Sequence, residues 1–112
     1  MINLQTENVG NLFICPKHYV MVYMSHEKAL EAFNFGLFTN FHKGNDFRKV
    51  ELDALGLERI FKTKISILKP ETPVLCLEIV KSSNLVCWNI LTEKTVGWII
   101  VEQYMNMTMA IK

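Results

Sequence analysis

Long apolar runs are missing from this chain of 112 residues. No stretch approaches the roughly 18 apolar residues that a membrane-crossing helix needs, so no membrane role is expected. Charge of one sign is also missing. Lys plus Arg number 12 and Asp plus Glu 11, a net charge of +1. A field strong enough to gather nucleic acid without specificity is excluded, although a local basic patch is not. The opening segment, MINLQTENVG, lacks a basic region followed by an apolar one, so no secretory signal is read there and a cytoplasmic location is expected. Cysteine is sparse and odd in number, at 15, 76 and 87. Three thiols in a reducing compartment are expected to stay free. Repeats and low-complexity segments are absent, and half the residues are hydrophobic. That composition belongs to a folded chain of one domain, here residues 1–112, with 1–10 read as a flexible leader.

What is present is alternation. In residues 74–80, Leu75, Leu77 and Ile79 share a face; in 85–91, Val86, Trp88 and Ile90 do. A strand turns successive side chains to opposite faces, so each run carries an apolar row. Lys81, Ser82, Ser83 and Asn84 separate the runs with turn-forming residues. A two-residue turn at Ser82-Ser83 pairs Ile79 with Val86, Leu77 with Trp88 and Leu75 with Ile90. All three apolar pairs then fall on one face. A longer loop at the same place fits equally well. In this register Cys76 and Cys87 share the other face as diagonal neighbours, commonly beyond disulfide reach. Residues 92–97 make a second turn, and 98–101 a further strand.

Earlier in the chain, NLFIC (11–15) reads as a short strand ending at Pro16. YVMVYM (19–24) reads as a stronger one. Its two apolar faces suit either a strand buried on both sides or a row used for binding. Residues 25–36 read as an inserted helix, which Ser25 caps and Gly36 ends, with Ala29, Leu30, Phe33 and Leu37 at helical spacing. Residues 47–56 are ambiguous between a strand and a short helix capped by Asp46, and helix is favoured. RIFKTKISIL (59–68) alternates and is read as a half-exposed strand; residues 59–111 are assigned to barrel strands. Met105, Met107, Met109 and Ile111 alternate in the tail. A soft-metal site there would need companion ligands that the sequence does not supply, so gap-filling in a core is the simpler reading.

Residues 73–105 resemble the second half of an SH3-type small barrel, bacterial SH3 domains in particular. The likeness rests on the apolar strand 74–80, the turn 81–84, the strand 85–91 with Trp88, the short turn 92–96, the step Gly97-Trp98-Ile99, and Tyr104. Ile100 replaces the Pro that lines the ligand groove of eukaryotic members, and Tyr104 lies one residue late. The resemblance implies an all-β or β-dominated fold, a small SH3-like barrel with one inserted short helix. It also implies peptide recognition on aromatic residues. Trp98, Tyr104, Tyr19 and Tyr23 are the candidates, while Trp88 belongs to the core row.

Other sites weigh less. Cys15 and His18 have the spacing of half a zinc site, but a structural site needs a second pair, and His26 and His42 stand alone. No metal and no cofactor is expected. A Cys–His nucleophile has no supporting turn, and cysteines in apolar strands are usually inert. Lys62, Lys64 and Lys69 line one side of a strand. Lysines interleaved with aromatics serve single-stranded nucleic acid, whereas lysines alone more often guard a strand edge. The expected function is therefore a noncatalytic module that binds a protein or peptide. A nucleic-acid-binding barrel using the lysine face is the alternative.

Overall fold

The structure, a computed structural model, describes residues 8–34, 46–82, 85–102 and 105–110. In chain order these form β1 (Leu12–Ile14), β2 (Val20–Tyr23), α1 (His26–Asn34), α2 (Phe47–Phe61), β3 (Ile65–Leu68), β4 (Pro73–Ser82), β5 (Leu85–Leu91), β6 (Val96–Val101) and β7 (Thr108–Met109). The strands join in one antiparallel sheet of order β3-β2-β6-β5-β4-β1-β7. The sheet curls into a half-barrel, compatible with an SH3-like barrel, and the fold is β-dominated.

Two apolar clusters explain the curl. Phe13, Val20, Val22, Val74, Trp88, Ile90 and Ile99 meet on the inner face. Met21, Tyr23, Cys87 and Ile100 point the other way, onto Ala29 and Ala32 of α1 and Val50, Ala54 and Leu57 of α2. The strands in the middle are thus covered on both sides. This is why β2 is apolar at every position and why all four of its residues are buried.

The helices follow from their caps and stripes. The Lys28 amide donates to Ser25 Oγ at 3.1 Å, which fixes the start of α1. Ala29 and Ala32 are fully buried, and their small side chains bring α1 close to the sheet. Leu37 and Gly36, the expected end of this helix, lie outside the described residues. At α2 the Lys49 amide donates to Asp46 Oδ1 at 3.3 Å. The helix does not stop at Gly56. It continues to Phe61, through positions the alternation assigns to strand. The buried stripe Val50, Ala54, Leu57 extends to Phe61 at helical spacing and outweighs a short alternating run. A glycine inside a helix costs only about 1 kcal/mol against alanine, so Gly56 does not break it. Lys62 ends α2 in the left-handed conformation, φ 52°, and strand begins only at Ile65.

The β4–β5 ribbon forms, in a different register. Ile79 faces Trp88, Lys81 faces Val86 and Ser82 faces Leu85, so Ser82 belongs to the ladder and not to a turn; Ser83, the other half of the expected turn, lies outside the described residues. The ladder shifts by two residues from the expected one, which preserves the facing of Ile79 and Trp88. Trp88 is inside, edge-on to Phe13 with ring centroids 4.9 Å apart. A bulge then intervenes between Cys76 and Glu78. Leu77 is the extra residue, 38% exposed, and below it the inward positions are Val74 and Cys76 rather than Leu75 and Leu77. The same inversion separates Cys76 from Cys87. Cys76 faces the inner core and Cys87 the helices, so they do not share a face. All three cysteines are free.

The tail alternates only at its start. Met105 and Met107 pack against the inner core, whereas Met109 is exposed on β7 opposite Phe13.

Candidate functional site

An open groove of about 900 Å³ lies at the mouth of the half-barrel. One wall is the end of β2 with β3, from Lys64 to Lys69; the other is the β5–β6 turn, Leu91 to Val96. Its lining includes side chains that a soluble strand ordinarily hides. Met24 is 64% exposed and Val96 57%, and Leu12 and Leu91 are exposed too. Three lysines, Lys64, Lys69 and Lys94, stand around this apolar lining against one carboxylate, Glu93. None of the three takes an ion-pair partner among the described residues.

Both walls are held by local hydrogen bonds. In the β5–β6 turn, Thr92 Oγ1 accepts from the amides of Lys94 at 3.1 Å and Thr95 at 3.0 Å, and the Thr92 amide donates to Thr95 O at 2.8 Å. This threonine turn sets Lys94 at the rim. Opposite it, Thr72 Oγ1 donates to Lys69 O at 2.6 Å, and Glu71, at φ 62°, donates its amide to Pro16 O at 2.9 Å.

β3 is an edge strand, with β2 on one side only. The Ile65 amide donates away from the sheet, to Glu58 Oε2 at 2.9 Å. Residues two apart point their backbone groups the same way, so the amide and carbonyl of Ile67 also face outward. Ile67 lines the groove, and its outward main-chain amide and carbonyl therefore stand beside the apolar lining.

The sequence-derived candidates divide. Lys64 and Lys69 lie in the groove; Lys62 is exposed at the end of α2 and does not line it. Trp98 is half-buried on the helix side, its ring 5.2 Å from that of His26. Tyr19 is half-buried against Phe47, also at 5.2 Å. Tyr23 is 1% exposed, so it offers no ring to a ligand although it borders the groove. Tyr104 lies outside the described residues. Among the described residues the aromatic candidates are not gathered on one open shelf. Met24, Leu91, Val96 and Lys94 are groove residues that alternation could not single out, because it registers apolarity and not exposure. Their one sequence signal is position, at strand ends beside turns.

The thiols are withdrawn from the surface. Burial pushes Cys15 up to about 12. Burial likewise raises Cys76 and Cys87 to about 11, and in Cys76 a backbone hydrogen bond from Glu78 opposes it. All three are protonated at neutral pH. His18 Nδ1 lies 3.0 Å from Tyr19 O. Among the described residues no three of His, Cys, Asp and Glu converge as metal ligands, and no helix is long and apolar enough to cross a membrane.

No protein-family model, curated protein or solved structure matches the chain.

Proposed function

We propose that the protein is a noncatalytic, SH3-like interaction module whose groove takes an extended acidic segment of a protein partner. The observation that carries this is the coincidence of three features along one groove: the outward main-chain groups of Ile67, the exposed apolar side chains of Met24 and Val96, and the excess of lysine over carboxylate. Each answers a different part of such a ligand. A strand laid beside β3 hydrogen-bonds to the edge, its alternate apolar side chains cover Met24 and Val96, and its acidic ones face Lys64, Lys69 and Lys94.

Single-stranded nucleic acid fits less well. Lys64 and Lys69 could track phosphates, but stacking needs open ring faces, and among the described residues the only aromatic one bordering the groove, Tyr23, is buried.

The test is titration of the isotope-labelled chain with peptides that alternate valine with glutamate, followed through amide resonances. Shifts at Ile67, Lys69 and Lys94, lost in the Lys64→Glu/Lys69→Glu variant and absent with valine–lysine peptides, are expected. Shifts elsewhere, or indifference to peptide charge, overturn the reading. Salt-sensitive binding of an oligothymidylate in place of the peptide decides for nucleic acid.

A further inference from the structure

Glu58 closes one end of the edge beside the groove. β3 sets Ser66 opposite Val22 and Leu68 opposite Val20, and its outward main chain is that of Ile65 and Ile67. A strand added to this edge must bring a carbonyl oxygen to each outward amide, at about 2.9 Å from the nitrogen. Glu58 Oε2 already stands 2.9 Å from the Ile65 nitrogen. It occupies the point where the carbonyl oxygen of an added strand would have to sit. An added strand of either direction, running from Ile67 towards α2, meets the Ile65 carbonyl and then this amide. There two acceptors would face each other over one hydrogen, and one of them is a carboxylate.

The end of α2 builds this arrangement. The Glu58 main-chain oxygen accepts from the amides of Lys62 and Thr63 as the chain leaves the helix through the left-handed Lys62. The reversal returns Ile65 to the side of Glu58, seven residues earlier. Beyond the other end of β3, the Lys69 carbonyl is taken by Thr72 Oγ1 at 2.6 Å, and Pro70 has no amide to give. Within β3 the ladder groups left to a ligand are the Ile65 carbonyl and the amide and carbonyl of Ile67.

We propose that Glu58 is a specificity-determining residue of the groove. It confines a partner's paired stretch to the few residues opposite Ile67 and turns away strands that run on past Ile65. This role rests on the strand addition proposed above and adds to it a limit on length.

The test titrates the isotope-labelled full chain with a capped peptide of alternating valine and glutamate, and follows shifts and hydrogen exchange of single amides. In the parent, binding should shift Ile67 and leave exchange of the Ile65 amide as it was. Glu58→Gln loses the charge and keeps an acceptor over that amide, so any gain it shows measures repulsion alone. Glu58→Ala removes both. It should bind about fivefold more tightly than Glu58→Gln, the yield of one further ladder bond, and its Ile65 amide should become protected in the complex. Glu58→Ala/Lys62→Gly repeats the comparison in a chain that regains the stability lost at Glu58, since Lys62 does not line the groove. Two results overturn the role and leave the strand addition standing: an Ile65 amide that shifts with Ile67 in the parent, or Glu58→Ala and Glu58→Gln binding alike while Ile67 shifts in both. No shift at Ile67 in any of these chains overturns both.

Discussion

Gly97 passes so close to Tyr23 that a Cβ on the glycine would lie 2.7 Å from the tyrosine's carbonyl oxygen, and 2.5 Å from Val22 Cγ1. Here the glycine is needed for approach. Next to it Trp98 pairs with Tyr23, the one register pair that links β2 to β6 and so joins the two parts of the sheet. The valine tip could rotate away, but the carbonyl is part of the ladder and cannot. Gly97→Ala is therefore expected to destabilise by about 2 kcal/mol, at the level of forced overpacking. The urea midpoint measures it, and a midpoint equal to the parent's contradicts the close approach.

The inner core has its own centre in Trp88 and Phe13, packed edge to face. Trp88→Ala should cost about 3–5 kcal/mol, the range for removing a buried aromatic. Phe13→Leu keeps the apolar volume and removes the ring, so it isolates the aromatic contact. A double-mutant cycle of Phe13→Leu with Trp88→Leu should return a coupling of about 1 kcal/mol. A coupling of zero would mean that the two rings do not meet.

Trp88 also shows what patterning can and cannot reveal. Its inward facing follows from alternation alone, and a two-residue slip of the ribbon does not change it. The partner does change, from Leu77 to Ile79, because pairing depends on where the turn closes. The bulge at Leu77 leaves no mark in composition; it is an extra residue among apolar neighbours, and it reverses the facing of everything before it. The end of α2 misleads for a related reason. Three residues of alternation at 59–61 fit a strand as well as a helix, and only the stripe from Val50 to Phe61 decides between them. The groove is harder still. Met24, Lys69 and Lys94 come from separate strand ends that meet only when the sheet curls. Within the sequence, Lys64 and Lys69 mark an exposed strand but not what stands across from it.

The α2–β3 junction yields two changes of opposite sign. Glu58 accepts from the Ile65 amide through its carboxylate and from the Thr63 amide through its main-chain oxygen. Glu58→Ala removes the first of these and should cost about 1.5 kcal/mol, as hydrogen bonds to charged groups do. Four residues later Lys62 holds the left-handed conformation that glycine adopts freely. Lys62→Gly should stabilise by about 1 kcal/mol, the penalty a side chain meets there. Thermal midpoints of the two variants should therefore fall on either side of the parent's, and midpoints on the same side contradict this account of the junction.

The thiols link stability to alkaline pH. Cys15 is raised by burial from 9.0 to about 12, and Cys76 and Cys87 from 9.0 to about 11. A thiol's charged form is the deprotonated one, which burial disfavours, so the folded chain holds these protons longer than the unfolded chain. Where the unfolded state binds fewer protons, stability falls as pH rises. The contribution is whole below pH 9, declines from there, and for Cys76 and Cys87 is gone once pH passes about 11. The urea midpoint of the parent should hold steady from pH 7 to pH 8 and drop between about pH 9 and 11; a Cys15→Ala/Cys76→Ala variant should start lower and drop less. Native-state alkylation at pH 8 should be slow at all three positions and become fast when urea unfolds the chain. Fast labelling of any one of them under native conditions would remove that thiol from the core.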